Sequence, residues 1–290
     1  MPELPEVETI VRKLKRGEAM GRGLPAYPSP IGHVVMSVWT DWPRAAFPSA
    51  EVVTHGLPGR RIESIGRRGK YVVIALSVGH LLIHLKMSGR LDVVTTGTPR
   101  DKHVHYVFVL GNGYELRFDD ARKFGRVYLV DDPDQVTGAL GPEPLEASFT
   151  LRVFRQMMQR KSGALKPLLL DQTFIAGIGN IYADEALWRA KLHPLRAANS
   201  LGPDQVAALY RGLRQALSDG IRHEGTAIDW VYPEGNHQDH LRVYGRAGRP
   251  CRRCHALIRR MVVGQRGTHF CPRCQAPQRV GSKRRRGAQK

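Results

Sequence analysis

Between residues 71 and 130 the chain reads 71-YVVIAL-76, 81-LLIHLK-86, 104-VHYVFVL-110, 114-YELRF-118 and 126-RVYLV-130, and these five runs decide the fold. Runs rich in β-branched and aromatic residues suit a pleated, half-buried surface. The 111-GNG-113 between two of them is a hairpin turn. Strands this close together, with no helical text between them, predict an antiparallel sandwich or barrel. Working back toward the N-terminus, Gly, Pro and Ser punctuate the chain from Gly17 to Arg61, predicting loops and a few strands. Residues 3 to 16 predict an amphipathic helix: Leu4, Val7, Val11 and Leu14 share one face, Pro5 suits the first turn, and Glu6 and Glu8 favour the positive end of the dipole.

Beyond residue 130 the character changes. The Pro-rich, acidic 131-DDPDQVTGALGPEPLE-146 leads into helical text at 149–160, 164–170, 180–190 and 203–222. The last is the clearest, with Pro203 and Asp204 at its start and Val206, Leu209, Leu213 and Leu217 along one face. This predicts an N-terminal β domain over 1–133, a linker over 134–146, a mainly helical domain over 147–244 and a cysteine module over 245–275. The basic tail 276–290, which contains 283-KRRR-286, has almost nothing to bury and is expected to be disordered. No internal repeat is visible.

Of the formal net charge of +19, the first 244 residues carry only +5 (31 basic, 26 acidic), because residues 245–290 hold 14 Lys or Arg and no Asp or Glu. One end is thus strongly cationic and suits a polyanion, with affinity falling steeply as salt rises. A solubilising tail or a surface for anionic lipid would share that charge. No run approaches the ~18 consecutive apolar residues of a membrane span, and the acidic start MPELPEVET lacks the basic and apolar regions of a secretory signal. The expectation is a cytoplasmic chain in a reducing compartment, with no membrane association.

All four cysteines lie in 251-CRRCHALIRRMVVGQRGTHFCPRC-274, two C-x2-C pairs separated by sixteen residues. Disulfides or a redox-active pair fit poorly in a cytosolic chain with two matched pairs. Cys251, Cys254, Cys271 and Cys274 therefore predict one structural Zn2+, with no position left open for water. Between the pairs, 257-LIRRMVV-263, GQRG and 268-THF-270 predict a β-hairpin with Arg266 at its tip, a small cationic prong.

Removing Met1, which a following proline permits, would expose the secondary amine of Pro2. An α-amino group has a reference pKa near 8 against about 10.4 for lysine, so part of it is neutral and nucleophilic at neutral pH. Glu3, beside it, is a candidate proton donor. A lone Pro-Glu pair more often just begins a helix.

The whole set of landmarks points further. PELPEVET at residues 2–9, 84-HLKMSGRL-91, 119-DDARKFG-125, 177-GIGNIYADE-185 and the four-cysteine hairpin with 264-GQRGT-268 together resemble bacterial formamidopyrimidine-DNA glycosylase, in family order from residue 2 to residue 275. The resemblance implies an α+β fold: an N-terminal antiparallel β-sandwich with an N-terminal helix, then a helix–two-turn–helix domain with a C-terminal zinc β-hairpin. It also implies a bifunctional glycosylase/AP lyase of base-excision repair that removes formamidopyrimidines and 8-oxoguanine and nicks the strand by β,δ-elimination. Pro2 would be the Schiff-base nucleophile and Glu3 the proton donor. Lys70, in 67-RRGKYVVI-74, matches the lysine tied to β-elimination, and Arg266 the arginine tied to δ-elimination. Chemistry at C1′ requires turning the nucleotide out of the duplex, and Met87, Arg122 and Phe124 match the side chains that fill the gap. His103, Arg122, Lys161 and Asn180 match further DNA contacts, Asn180 at a helix start where free N–H groups suit a phosphate. Taken alone, Lys70 is a solvated strand end, Arg266 one cation among many, Asn180 a helix cap, and Met87 and Phe124 core residues. The partner implied is damaged double-stranded DNA, bound by a monomer in the bacterial cytoplasm.

Three features depart from the family pattern. The segment from Gly225 to Arg242 is short, and its 235-GNHQDH-240 lacks an expected aromatic; His255 stands where glycine often follows the second cysteine; the basic tail is an addition. The first bears on base preference. The rival within the superfamily is an endonuclease VIII-like enzyme for oxidised pyrimidines, whose opening carries Gly where Leu4 stands. The rival outside it is a noncatalytic zinc-containing DNA-binding protein.

Overall fold

A computed structural model describes residues 1–18, 26–227 and 235–277. The N-terminal helix α1 (Leu4–Arg16) comes first, where the apolar spacing predicts it. The β domain follows with β1 (Val35–Thr40), β2 (Ala46–Phe47), α2 (Ala50–Gly56), β3 (Ile62–Arg68), β4 (Tyr71–Leu76), β5 (His80–His84), β6 (Gly89–Thr95), β7 (Val104–Leu110), β8 (Tyr114–Asp120) and β9 (Arg126–Val130). These form two sheets, one in the order β1-β7-β8-β6 and the other β2-β9-β5-β4-β3. Every pairing is antiparallel except the two-residue parallel match of β2 with β9. Apolar side chains facing inward from both sheets, among them Ile74, Ile83, Leu91, Phe108, Phe118 and Val127, close one core. The fold is therefore a sandwich. Strand β6 has no counterpart among the sequence-predicted strands, because 89-GRLDVVT-95 interrupts its apolar run with Arg90 and Asp92.

This topology positions the site. The chain crosses from one sheet to the other between β5 and β6, through Lys86, Met87 and Ser88. It crosses back between β8 and β9, through Ala121 to Gly125. Both crossings sit at the same end of the sandwich, because Gly89 at the start of β6 pairs with Asp120 at the end of β8.

The short α3 (Asp134–Thr137) leads into α4 (Leu151–Gln159), α5 (Leu165–Leu170), α6 (Asn180–Arg189) and α7 (Pro203–Arg222). Helix α7 crosses α6 so closely that a Cβ on Gly220 would lie 2.5 Å from the Tyr182 ring. Helix α1 belongs to both halves: Val7, Ile10, Val11 and Leu14 pack in the sandwich core, whereas Leu4 packs in the helical core with Ile175, Ile178 and Tyr182. The sandwich core and the helical core meet on this helix.

The last element is the hairpin of β10 (Arg259–Val263) and β11 (Arg266–Phe270). Its turn is two residues long, Gly264 and Gln265 with φ of 55° and 61°, the left-handed pair that matches strand twist. Leu257 and Ile258 lie outside the strand, and Arg266 opens the return strand, just past the tip of the turn. His255 occupies the left-handed region at φ 62°, so the turn that usually takes glycine is kept by a histidine. Of the segment 225–242, residues 228–234 lie outside the described residues, as do 278–290 of the tail, so the expectations for that loop and for tail disorder lie there too. Among the described residues no helix is long and apolar enough to cross a membrane.

Candidate active site

Pro2 and Glu3 are buried where α1 meets the N-terminus of α6. The Ile181 N–H donates to Glu3 Oε1 (2.9 Å) and the Tyr182 N–H to Oε2 (3.4 Å). The carboxylate thus occupies the donor end of a helix. Gly179 makes the approach possible, since a Cβ there would fall 2.3 Å from the Glu3 carboxyl carbon. Burial raises the Glu3 pKa, against the opposing charge of Lys70 and the two helix N–H bonds and with Glu6 adding to the rise. A carboxyl that holds its proton more readily is what a general acid needs. In this structure Met1 still precedes Pro2.

Glu6 is buried as well, a role beyond the complement to the helix dipole that the sequence offers. Its Oε2 accepts the Glu3 N–H (2.8 Å), and its Oε1 accepts the Tyr182 hydroxyl (2.8 Å) and the Thr226 N–H (2.9 Å). It fixes the backbone at Glu3 by tying it to α6 and to the residues after α7.

Lys70 lies in the β3–β4 turn and is only 6 % exposed, so it is not a solvated strand end. Burial lowers its pKa, opposed by the charges of Glu3 and Glu6, with Arg266 and Lys86 lowering it further. The turn is clamped from outside the strands. Arg67 pairs with Glu8 of α1 (3.0 Å) and with Glu143 of the linker (2.8 Å), while Arg68 pairs with the same Glu143 (3.3 Å). Glu143 is itself buried.

Asn180 is the first residue of α6, and the structure corrects its reading as a cap: the cap position is Gly179. The Asn180 amide donates instead to the Gly267 carbonyl of β11 (3.0 Å). Two acids of the same helix extend this attachment. Asp184, fully buried, accepts the His269 N–H (2.8 Å) and an ion pair from buried Lys166. Glu185 Oε1 accepts the N–H groups of Arg242, Val243 and Tyr244 at 2.9, 2.9 and 3.2 Å. The hairpin is thereby locked to α6, and Arg266 is held near enough to Lys70 and Lys166 for its charge to depress both.

The four cysteine sulfurs lie within 4.8 Å of one another, the spacing of ligands around one tetrahedral ion. The Arg253 and Cys274 N–H groups and the Trp188 indole point at Cys251 or Cys271 sulfurs at 3.3–3.4 Å, as thiolates require. Among the described residues the module's buried apolar side chains are few: Trp188, Val243, Cys251, Ile258 and Cys271 in one cluster, with Val263 and Phe270 on the hairpin. So small a core depends on a metal for its fold. The donor set fits one structural zinc.

Met87 and Phe124 are 37 % and 50 % exposed, so neither is a core residue. Arg122 reaches across to the Met87 carbonyl (3.2 Å) and the Ser88 hydroxyl (3.4 Å), bringing the three gap-filling candidates together. The His103 carbonyl accepts the Asp120 N–H (2.9 Å) beside them. Lys161 stands apart, over the Phe174 ring, in the wall of a cavity of about 450 Å³ beside α4. The structure thus joins Pro2, Glu3, Lys70, Asn180 and Arg266 in one group and Met87, Arg122, Phe124 and His103 in a second. Asp120, Glu143, Asp184 and Glu185 were also missed as organising residues. The one signal in sequence was acidic residues lying inside or beside glycine-rich landmarks.

Comparison with known proteins gives concordant matches. The family model described as formamidopyrimidine-DNA glycosylase N-terminal domain matches residues 1–127, that described as formamidopyrimidine-DNA glycosylase H2TH domain matches 140–231, and that described as zinc finger found in FPG and IleRS matches 248–277. The chain is 46 % identical over 284 residues to the formamidopyrimidine-DNA glycosylase of Herpetosiphon aurantiacus, covering 95 % of this chain and 100 % of that one. It is 44 % identical to that of Protochlamydia amoebophila, covering 95 % and 99 %. Among solved structures, the Lactococcus lactis FPG bound to FAPY-dG-containing DNA superposes with a TM-score of 0.85 at 35 % identity, over 95 % of this chain and 100 % of that one. The same protein with an abasic site containing DNA gives 0.84 at 35 % identity, with the same coverage.

Proposed function

The chain belongs to the formamidopyrimidine-DNA glycosylase family, and from that premise we propose how its own residues carry the reaction. It is a DNA-formamidopyrimidine glycosylase and AP lyase of base-excision repair, acting on oxidised purines in DNA, with one structural zinc. Its working form is a monomer in the bacterial cytoplasm on damaged double-stranded DNA; the matched DNA complexes support the partner.

Once Met1 is removed, the Pro2 nitrogen attacks C1′ of the everted nucleotide, forming a C–N bond as the glycosidic bond breaks and the base leaves. The Glu3 carboxyl supplies the proton to the sugar ring oxygen or the departing base, and the opened sugar becomes an iminium. The iminium withdraws electrons from C2′. Loss of a C2′ proton then expels the 3′ phosphate, and a second elimination releases the 5′ phosphate. Lys70 serves the first elimination and holds the phosphate, and Arg266 serves the second. Met87, Arg122 and Phe124 fill the vacated stack, while His103, Lys161 and Asn180 hold the backbone. Zinc through Cys251, Cys254, Cys271 and Cys274 supplies only the rigidity of the prong that carries Arg266.

The observation that carries this reading is the burial of Glu3, next to Pro2, on the helix α6 N-terminus and within the field of Lys70. The test uses a duplex with 8-oxoguanine opposite cytosine and borohydride reduction, which freezes the iminium. Met1-processed protein should give a covalent adduct and strand cleavage, and protein that retains Met1 should give neither. Absence of both from the processed protein refutes the reading.

A further inference from the structure

Asp120, the last residue of β8, is fully buried, and its carboxylate accepts hydrogen bonds from both crossings between the sheets. From the β5–β6 crossing comes the Ser88 hydroxyl, onto Oδ1. From the β8–β9 crossing come the Arg122 N–H onto Oδ1 (3.3 Å) and the Phe124 and Gly125 N–H groups onto Oδ2 (2.9 and 2.7 Å). Its own carbonyl accepts the N–H of Lys123, whose backbone is left-handed at φ 54°. The same two crossings rest on one ring. A Cβ on Gly89 would fall 2.6 Å from Phe118, and one on Gly125 would fall 2.3 Å from it.

A buried carboxylate must have its lone pairs filled, or its desolvation is uncompensated. Here the donors that fill them sit on two separate loops. Neither loop can move away alone without stripping Asp120 of part of its set. We propose that Asp120 is a positioning residue that couples the two loops, so that Met87 on one and Arg122 and Phe124 on the other enter the base stack as a unit. The proposal rests on the reading of those three side chains as gap fillers. Ser88 is the joint between the loops, bonded on one side to Asp120 and on the other to the Arg122 guanidinium (3.4 Å).

Two variants cut the coupling differently. Ser88→Ala removes the joint and leaves the 122–125 loop on the carboxylate. Asp120→Asn turns an amide toward the Phe124 and Gly125 N–H groups and leaves an oxygen for Ser88. Each is compared with wild type on a duplex carrying 2-aminopurine beside a tetrahydrofuran abasic analogue, in which insertion changes the fluorescence. Both variants should lose most of the insertion signal, and their kcat/KM on an 8-oxoguanine duplex should fall about ten- to a hundredfold, as expected when a bound geometry is misplaced by about 1 Å. Borohydride trapping on a single-stranded abasic oligonucleotide, which has no stack to fill, should stay within about twofold of wild type. Phe124→Ala and Met87→Ala should be non-additive in wild type and additive in the Ser88→Ala background. Full insertion by either variant, or equal losses on single and double strands, overturns the proposal. A wild-type protein that gives no adduct on the lesion duplex overturns the functional reading instead.

Discussion

Replacing Asp184 by Ala should unlock the zinc hairpin from the helical domain. Asp184 and Lys166 are both fully buried and paired, and the other carboxylate oxygen accepts the His269 N–H at 2.8 Å. Without the carboxylate, the hydrogen bond left to the Lys166 ammonium among the described residues is to the Asn180 carbonyl, at 3.3 Å, and the hairpin loses a backbone partner. Breaking one side of a buried pair costs about 3–5 kcal/mol, and a stranded N–H group about 1–3 kcal/mol. The two overlap, and burial already lowers the Lys166 pKa, so the lysine can shed its proton rather than stay charged. The lower end is expected: a loss of about 3 kcal/mol from a total on the order of 5–15 kcal/mol. That corresponds to roughly 6–12 °C in Tm for a chain of this size. The measurements are urea denaturation followed by far-UV circular dichroism, and the rate at which a colorimetric chelator takes zinc from native protein, which should rise as the hairpin detaches. The Lys166→Met/Asp184→Leu double variant should recover at least ~2 kcal/mol of the loss, since an apolar pair leaves no buried charge. A single-variant loss under ~1 kcal/mol, or a double variant no better than the single, would refute the reasoning.

Glu3→Gln should abolish the borohydride adduct on lesion duplex while making the protein more stable at neutral pH. The folded-state pKa of Glu3 is raised above 4.5, so its contribution to stability is present below that value and is lost as pH rises through the folded pKa. The stability gap between variant and wild type should therefore close as pH falls toward 4.5, which denaturation at several pH values reads directly. His237 shows the opposite sign: buried between the Tyr182 and His223 rings, its pKa is lowered from 6.5 to about 4 by burial, then by His223. Its stabilisation is intact above 6.5 and is lost as pH falls toward 4, so His237→Phe should flatten the stability profile across that window by up to one proton. Stripping zinc with a chelator should release one ion per chain, collapse the hairpin and cut duplex affinity at least about tenfold, with a shallower salt slope as the prong's cations withdraw. Calorimetric titration of duplex at two salt concentrations checks it.

Much of the site was legible because its chemistry is written in local strings. Two C-x2-C pairs imply a tetrahedral thiolate site whatever lies around them, and PELPEVET places the proposed nucleophile, the proposed acid and the start of a helix in consecutive residues. Burial was not legible. Glu6 and Glu8 look alike in sequence, two acids in one helix, yet Glu6 is 3 % exposed with partners on α6 and after α7, while Glu8 pairs with Arg12 and Arg67 nearer the surface.

By itself the sequence determined most of the helices and strands and that four cysteines bind one zinc, and it named the candidates for the family's chemistry, because periodicity, turn residues and ligand spacing are properties of short stretches. Only the tertiary structure decided which sheet each strand joins, that Lys70 is buried, that Asn180 braces the hairpin rather than capping its helix, and that the two gap-filling loops share one carboxylate. Those facts depend on partners far away in the chain, such as the Ile181 N–H that Glu3 meets 178 residues later. A carboxylate's role is set by which donors surround it, and alternation along a strand says which face a residue takes but not what it meets there.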